Sequence, residues 1–193
     1  MKFNKILLTG LIAALVGVGL IAPRSTLAES SFCTGTGCST SASVNFQVVI
    51  PRFLVLRIGT AGATQDTINF APSAGVVGDG NPVSGTGGDA TGGAVNTRVL
   101  SNGGNVTLST ALTNSASGLI NGANFIAWGE IDTAAAGSMT APTLQNGGVT
   151  NEVYPATGSI VNLTDTWTYT YANTTVPAVG TYTGTATYTA AIP

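Results

Sequence analysis

Threonine and aromatic residues alternate through the C-terminal third of this chain. Between residues 164 and 189 there are 11 threonines, interleaved with aromatic residues that would share one strand face: Trp167, Tyr169 and Tyr171. A period of two is typical of β-strands, and β-branched and aromatic side chains suit a pleated surface. The segment therefore predicts two strands, at 167–171 and 181–192, and disfavours a helical fold.

Short extended runs separated by turn residues continue through the rest of the chain. Further strands are predicted at 53–58, 94–100, 106–112, 124–131, 149–154 and 159–163. Asn102-Gly103-Gly104-Asn105 has the composition of a tight hairpin connection, and residues 132–138 are the best candidate for a helical turn. Residues 74–95 are rich in glycine and predict a surface loop. Together these patterns indicate an all-β sandwich.

The first 28 residues have the three parts of a secretory signal peptide. Lys2 and Lys5 precede an apolar run, and small residues lead to a cleavage point after Ala28. An uncleaved membrane anchor is the alternative. The exported chain would then consist of a polar leader at 29–43 and a single β-sandwich domain at 44–193, with no membrane span after cleavage.

Charge is scarce in the exported chain. Beyond residue 28 there are three arginines, eight carboxylates and neither lysine nor histidine, which gives a net charge of −5. Such a surface cannot neutralise phosphates, so nucleic acid is not an expected partner. No histidine or lysine is present to activate a serine or threonine nucleophile. We therefore expect no enzymatic activity, no catalytic residue and no cofactor.

The two cysteines, Cys33 and Cys38, enclose a short glycine-containing loop in the leader. In an exported protein such a pair predicts a disulfide bond. Metal capture and redox chemistry are the alternatives. Two thiols without a histidine are too few for a closed zinc site, so the disulfide is preferred.

Two groups of oxygen-bearing side chains are candidates for a site. Glu130 and Asp132 stand two residues apart, as in one class of β-sandwich glycosidase, but Ala135 occupies the position of the second glutamate. Retaining and inverting glycosidases need a pair of carboxylates, so we predict no active site there. In the glycine-rich loop Asp79, Asn81 and Asp89 are calcium-type ligands, but they lack the spacing of an EF-hand loop or of a nonapeptide calcium repeat, so a turn-rich loop is preferred and no metal site is predicted.

Two segments carry a resemblance to a known group. Val176-Pro177-Ala178-Val179-Gly180 followed by Thr181-Tyr182-Thr183-Gly184-Thr185-Ala186-Thr187-Tyr188 resembles the closing strand of spore coat U-type domains and archaic chaperone–usher pilins. Residues 44–51 resemble the first strand of the same families. The resemblance implies an exported immunoglobulin-like antiparallel β-sandwich, a pilus-like role at the cell surface and an export chaperone as a partner. It marks as strand contacts Tyr182, Gly184, Ala186 and Tyr188.

Residues 44–50 alternate apolar and polar side chains, with apolar pegs at Val44, Phe46, Val48 and Ile50. In donor-strand assembly, such a segment completes the sheet of a neighbouring subunit. The alternative is that it forms the first strand of its own domain. The sequence leaves both open.

The sequence thus predicts a secreted structural subunit that forms a homo-oligomer or polymer. A secreted carbohydrate-binding or adhesin module is the competing function, with polysaccharide as its partner. Aromatic rings with a polar edge suit sugar stacking, and the candidates are Trp128, Trp167, Tyr169, Tyr171, Tyr182 and Tyr188.

Overall fold

The computed structural model describes residues 31–62, 64–148 and 150–193. The predicted signal peptide lies outside these residues. Contacts divide the chain into two compact units, with the boundary between Val49 and Ile50.

The described part of the first unit, residues 31–49, contains no helix or strand. A disulfide joins Cys33 to Cys38, with their Cα atoms 5.9 Å apart. Gly35 and Gly37 between them have φ angles of 111° and 80°. Glycine adopts these angles without steric cost, which is what so small a ring requires.

The second unit, residues 50–193, is built almost entirely of strands. In chain order these are β1 (Leu54–Ile58), β2 (Ile68–Asn69), β3 (Val83–Ser84), β4 (Thr86–Gly87), β5 (Ala94–Ser101), β6 (Val106–Leu112), β7 (Leu119–Asn121), β8 (Asn124–Ile126), β9 (Ile131–Ala135), β10 (Asn151–Tyr154), β11 (Val161–Tyr171) and β12 (Ala186–Ala191). The helical element among the described residues is one 3-10 turn, Trp128–Glu130.

The longer strands form two antiparallel sheets. The first has the order β1–β5–β11–β3, with β9 also paired to β11, and the second has the order β10–β6–β12. Two short ribbons, β2–β4 and β7–β8, complete the strand pairing. The predicted all-β class is confirmed.

The alternation of β11 explains how the core forms. Trp167, Tyr169 and Tyr171 are all buried, as their common strand face predicts, and they join one apolar cluster with residues of β5 and β6. The intervening threonines are half-buried on the other face. One long strand therefore supplies three large aromatic rings to the core.

Trp167 also connects the two sheets through specific contacts. Its indole Nε1 donates to the carbonyl oxygen of Met139 at 2.7 Å. Its ring lies 5.5 Å, centroid to centroid, from Tyr188 of β12 in the second sheet. The hydroxyls of Tyr188 and Tyr169 are 3.0 Å apart. The polar atoms of Trp167, Tyr169 and Tyr188 thus have hydrogen-bond partners, as burial without large cost requires.

Four of the predicted turns and strands differ from the structure. The 102–105 turn is not a hairpin connection, because β5 and β6 belong to different sheets. The runs predicted at 159–163 and 167–171 are joined in one strand, β11, which begins at Val161, since the intervening residues 164–166 continue the alternation. Residues 132–138 are not a helical turn, because residues 132–135 belong to β9 and pair with β11, and residues 136–138 form a bend. The run at 124–131 divides into β8, the 3-10 turn and the start of β9.

Asn173 fastens the connection after β11 to the glycine-rich loop. It is fully buried and has a φ of 58°. Its Nδ2 donates to the Val76 carbonyl oxygen at 2.7 Å and to Asp79 Oδ1 at 3.0 Å. Its Oδ1 accepts from the Gly78 amide at 2.8 Å. Asparagine fits because it tolerates a left-handed conformation and carries both donor and acceptor.

We expect Asn173→Gly to lower the free energy of unfolding by about 2–4 kcal/mol, because the φ angle is still allowed but the hydrogen bonds from this buried side chain to Val76, Gly78 and Asp79 are lost. Asn173→Ala should cost about a further 1 kcal/mol from backbone strain. Urea unfolding measures both. The exposed Asn124→Ala is the control and should change stability by less than about 0.5 kcal/mol. Equal stability of all three variants would contradict this assignment.

We also expect stability to be flat from pH 5 to 8 and to fall above about pH 10. No histidine titrates in the lower range. Burial raises the pKa of the Tyr154, Tyr169 and Tyr188 hydroxyls above the ordinary tyrosine value. The unfolded chain releases these protons near pH 10 while the folded chain retains them, so alkali favours unfolding. Urea unfolding against pH measures this, and Tyr169→Phe should reduce the alkaline loss. Stability that holds unchanged to pH 12 would contradict the prediction.

Candidate polymerisation surface

The alternating segment at 44–50 presents its apolar side chains to solvent. Val44, Phe46, Val48 and Ile50 are between 72 and 89 % exposed. No strand is formed anywhere in residues 31–53, so the strand predicted at 44–50 is not formed within this chain. Burying an aliphatic or aromatic side chain of this size contributes about 1.5–3 kcal/mol. Burial of the four exposed pegs in a partner would therefore favour association.

In the second unit, β12 leaves one edge open. Within the described residues it pairs with β6 alone. The Thr110 amide of β6 donates to Thr150 on the β10 side, so the flanking amides of Ser109 and Ala111 point toward β12. Their partners in register are Thr189 and Thr187. The main-chain groups of the alternate residues therefore face the open edge: Ala186, Tyr188 and Ala190.

β1 leaves a second open edge, in the other sheet. Among the described strands it pairs with β5 alone. The Gly59 amide donates to the main-chain carbonyl oxygen of Asn96 at 2.8 Å, and the Asn102 amide donates to that of Phe53 at 3.4 Å. By alternation, the main-chain groups of Leu54, Leu56 and Ile58 then point away from β5. β1 and β12 approach each other along one side of the sandwich.

The core is incompletely covered on that side, which we call the open flank (β1 and β12). The inward side chains of β1, Leu54, Leu56 and Ile58, remain only partly buried. Tyr188 and Ala190 of β12 are likewise only half-buried. The central strands differ, since Val99 of β5 and Leu108 of β6 are fully buried. The open flank thus combines free main-chain hydrogen-bonding groups with accessible apolar side chains.

Residues 51–53 are held at one end of the sandwich. The Asn102 side chain accepts from the Phe53 amide at 2.8 Å and donates to the Pro51 carbonyl oxygen at 2.8 Å. The Arg52 guanidinium donates to the carbonyl oxygens of Gly103, at 2.7 Å, and of Pro193. Sequence reasoning missed Arg52 and Asn102 as anchors, because the turn residue and the arginine are about 50 positions apart and carry no local pattern.

The residues marked near the C terminus fall into two groups. Ala186 and Tyr188 belong to β12, whereas Tyr182 and Gly184 precede it, so the strand predicted at 181–192 starts later. Gly184 lies against the Trp128 ring, where an added Cβ would come within 2.6 Å of an aromatic carbon. Thr183 instead forms an isolated bridge to Ile120 of β7.

The two carboxylates considered as a glycosidase pair have separate positions. Glu130 ends the 3-10 turn, so it does not share a strand with Asp132 of β9. Its carboxylate accepts from the Thr174 amide at 2.9 Å and from the Thr174 hydroxyl. Glu130 therefore stabilises the connection after β11 through these hydrogen bonds.

The calcium-type ligands also serve the fold. Hydrogen bonds from Asn81 lower the pKa of the Asp79 carboxyl. Asp89 accepts from the Asn96 amide at 2.6 Å, a different partner. Among the described residues, no group of three or more histidine, cysteine or acidic side chains is placed to hold a metal ion.

The aromatic residues considered for sugar stacking are mostly core residues. Four are buried: Trp128, Trp167, Tyr169 and Tyr171. Trp128 donates its indole N–H to the Thr113 carbonyl oxygen at 3.0 Å. Tyr188 packs on Trp167, and Tyr182 donates to the Ala178 carbonyl oxygen at 2.8 Å. The open flank is therefore a better-supported site than any aromatic platform among these six residues.

Within residues 31–62, 64–148 and 150–193, no helix has the length and apolar character needed to cross a membrane. No family model, curated protein or solved structure is significantly similar to this chain.

We expect the edge of β12 to be visible in amide hydrogen exchange. In the monomer, the amides of Ala186, Tyr188 and Ala190 should exchange at least about tenfold faster than those of Thr187 and Thr189, because only the second set donates to β6. NMR or mass spectrometry with fragmentation measures this. The alternate residues of β6 provide the internal control, since that strand is paired on both sides. Uniform protection along β12 would contradict an open edge.

Proposed function

We propose that this protein is a secreted structural subunit of a pilus-like cell-surface fibre or extracellular matrix, assembled by donor-strand complementation. The observation that carries the proposal is the match between two unused surfaces. Residues 44–50 have the alternation of a strand and are exposed, while β12 has a free edge beside a partly covered core. The segment lacks a partner strand and a cover for its apolar side chains, and the edge of β12 could provide both.

The physical basis is strand addition. An incoming strand would pair its main chain with the outward-facing groups of Ala186, Tyr188 and Ala190, which supplies affinity. Its alternate side chains, Val44 to Ile50, would cover the partly buried residues of β1 and β12. Burial of the four pegs would stabilise the complex by about 1.5–3 kcal/mol each. Ordering a seven-residue segment costs about 1–2 kcal/mol per residue, which is a similar total. The main-chain hydrogen bonds are therefore needed to make strand addition favourable.

The rest of the sequence supports an exported assembly. The predicted signal peptide accounts for secretion, and a disulfide such as Cys33–Cys38 is typical of oxidising compartments. The exported chain has no lysine, so close contacts between copies would not bury ammonium groups. An export chaperone that shields the same edge before assembly would fit this role.

The period of two gives a sharp test. Val48→Asp places a carboxylate on the peg face, whereas Gln47→Asp places the same charge on the opposite face. We expect Val48→Asp to raise the concentration needed for assembly at least about 100-fold, because an unpaired charge would be buried, while Gln47→Asp assembles normally. Sedimentation velocity and negative-stain microscopy of the secreted chain measure assembly.

Folding provides the control for this comparison. Both positions are exposed in the single chain, so both variants should have the unfolding free energy of the unmodified protein. Assembly that responds equally to the two substitutions would contradict the proposal. Unfolding caused by Val48→Asp alone would instead favour a first strand within the same domain.

A further inference from the structure

The two ends of the sandwich can be told apart by the residues they carry. We call the base the end formed by residues 51–53, the 102–105 turn, the 155–160 connection and Pro193. Hydrogen bonds join these parts, including Gly104 to Ser159 at 3.1 Å and Ala156 to Asn105 at 2.9 Å. The apex is the opposite end, where β6 and β11 finish and β12 begins.

Apolar side chains are concentrated at the apex. Ile120 and Phe125 are cross-strand partners in the β7–β8 ribbon and share its outer face. Val176 and Val179 follow in the connection to β12, where the Asn121 side chain donates to the Val179 carbonyl oxygen at 3.4 Å. These four residues, the apical patch, are between 36 and 99 % exposed. The segments that carry them, 116–129 and 166–193, contain no charged residue.

The base carries apolar surface as well. Ile160 is 53 % exposed. It lines a shallow depression together with Pro155 and Leu163. Among the residues that define the base, Arg52 is the charged one, and its guanidinium donates to the carbonyl oxygens of Gly103 and Pro193. The apolar side chains of the apical patch would therefore meet a base whose cation is already held by hydrogen bonds.

The anchored linker determines how close two copies must come. This step rests on the proposed donor-strand function. Ile50 is the last peg, and Pro51, Arg52 and Phe53 are held on the base by Asn102 and by the turn. From Ile50 to Phe53 is three residues, which span about 10 Å at most. When a donor strand is seated in an accepting copy, the base of the donating copy must therefore lie against the end of the accepting copy at which the donor enters.

The direction of entry decides which end that is. A donor that enters from the base would bring two bases together, and the two copies could exchange donors and close as a pair. A donor that enters from the apex runs antiparallel to β12 and leaves the next donor free at the far end. Only the second arrangement is open and continues into a fibre, as heterologous contacts do.

We infer that the apical patch is the second contact between successive copies, seated on the apolar base of the copy that donates its strand. The occupant is thus another molecule of this chain. The patch lies where the donor must enter, next to the start of β12, and Thr183 in that approach is already bridged to Ile120. The contact makes assembly depend on both ends of the body as well as on the donor.

Phe125→Asp tests the patch, with Asn124→Asp on the same ribbon as the matched control. Both residues are exposed, so both variants should fold. We expect Phe125→Asp to weaken assembly at least about tenfold, as truncation of an aromatic interface anchor commonly does, and Asn124→Asp to leave it unchanged. Urea-dependent dissociation of the polymer, followed by light scattering, measures the effect. Equal dissociation of the two variants would overturn the inference.

A peptide separates this inference from the donor-strand proposal. The full chain carrying Val48→Asp serves as the acceptor, and a synthetic peptide of residues 43–51 serves as a donor that lacks the β-sandwich. The peptide should bind equally to acceptors with and without Phe125→Asp, because it has no base that could contact the apical patch. Failure of the peptide to bind either chain would overturn donor-strand assembly itself. Binding lost only with Phe125→Asp would place the patch in the strand site and overturn the present inference.

Cysteine cross-linking tests the geometry directly. Phe125→Cys combined with Ile160→Cys should give a ladder of disulfide-linked oligomers under mild oxidation, while either single variant stays monomeric in denaturing gels. The two positions lie at opposite ends, so one chain cannot close the bond within itself. Dimers formed by Phe125→Cys alone would show that the apical patches of two copies contact each other. Absence of a ladder with the double variant would show that the apical patch does not contact the base of the next copy. Either result would overturn the inference.

Discussion

Burial of Trp167 between two sheets is the contact on which the rest of this sandwich depends. The ring fills the centre of the core and packs on Tyr188, and its N–H is satisfied by Met139. Through these contacts, the longest strand of the first sheet holds the connection after β9 and the last strand of the second sheet. Removing a buried tryptophan typically costs about 3–5 kcal/mol, a large part of the stability of one domain. Because Tyr188 belongs to the edge strand β12, the same contact fixes the position of the open flank.

The two sides of the sandwich differ in how completely they cover the core. Around β5, β6 and β11 the core is closed by fully buried aliphatic residues such as Val99 and Leu108. Along β1 and β12 it is left partly open, and the edges retain unpaired main-chain groups. Natural sheets commonly protect such edges with charges, prolines or bulges. β12 has no charged residue and no proline, which is consistent with an edge kept for a partner strand.

Local patterns predicted the longer strands, since alternation shows which face is buried, but they did not predict the short strands β2, β3, β4 and β7, and β3 and β4 lie within the segment predicted as a loop. The range of β6 was obtained in full, and the aromatic face of β11 was identified from threonines and aromatics alone. What could not be predicted depends on long-range pairing. Asn102-Gly103-Gly104-Asn105 looks like a hairpin turn in isolation, and only the partners of β5 and β6 reveal that it crosses between sheets. Asn173 and Arg52 gain their roles from residues tens of positions away, so no local signal marks them. For residues 44–50 the alternation was clear, but the pattern could not say whether the partner strand belongs to the same molecule.

The anchored residues 51–53 have a consequence for how a fibre of such subunits would carry a pulling force. The load would pass from the donor strand into Asn102 and the 102–105 turn, and from there into β5 and β6, one strand of each sheet. A donor lying lengthwise beside β12 would have its hydrogen bonds strained together instead of opened one after another. Tension would therefore be shared across both sheets at every subunit, and the fibre would resist extension until many bonds yielded at once.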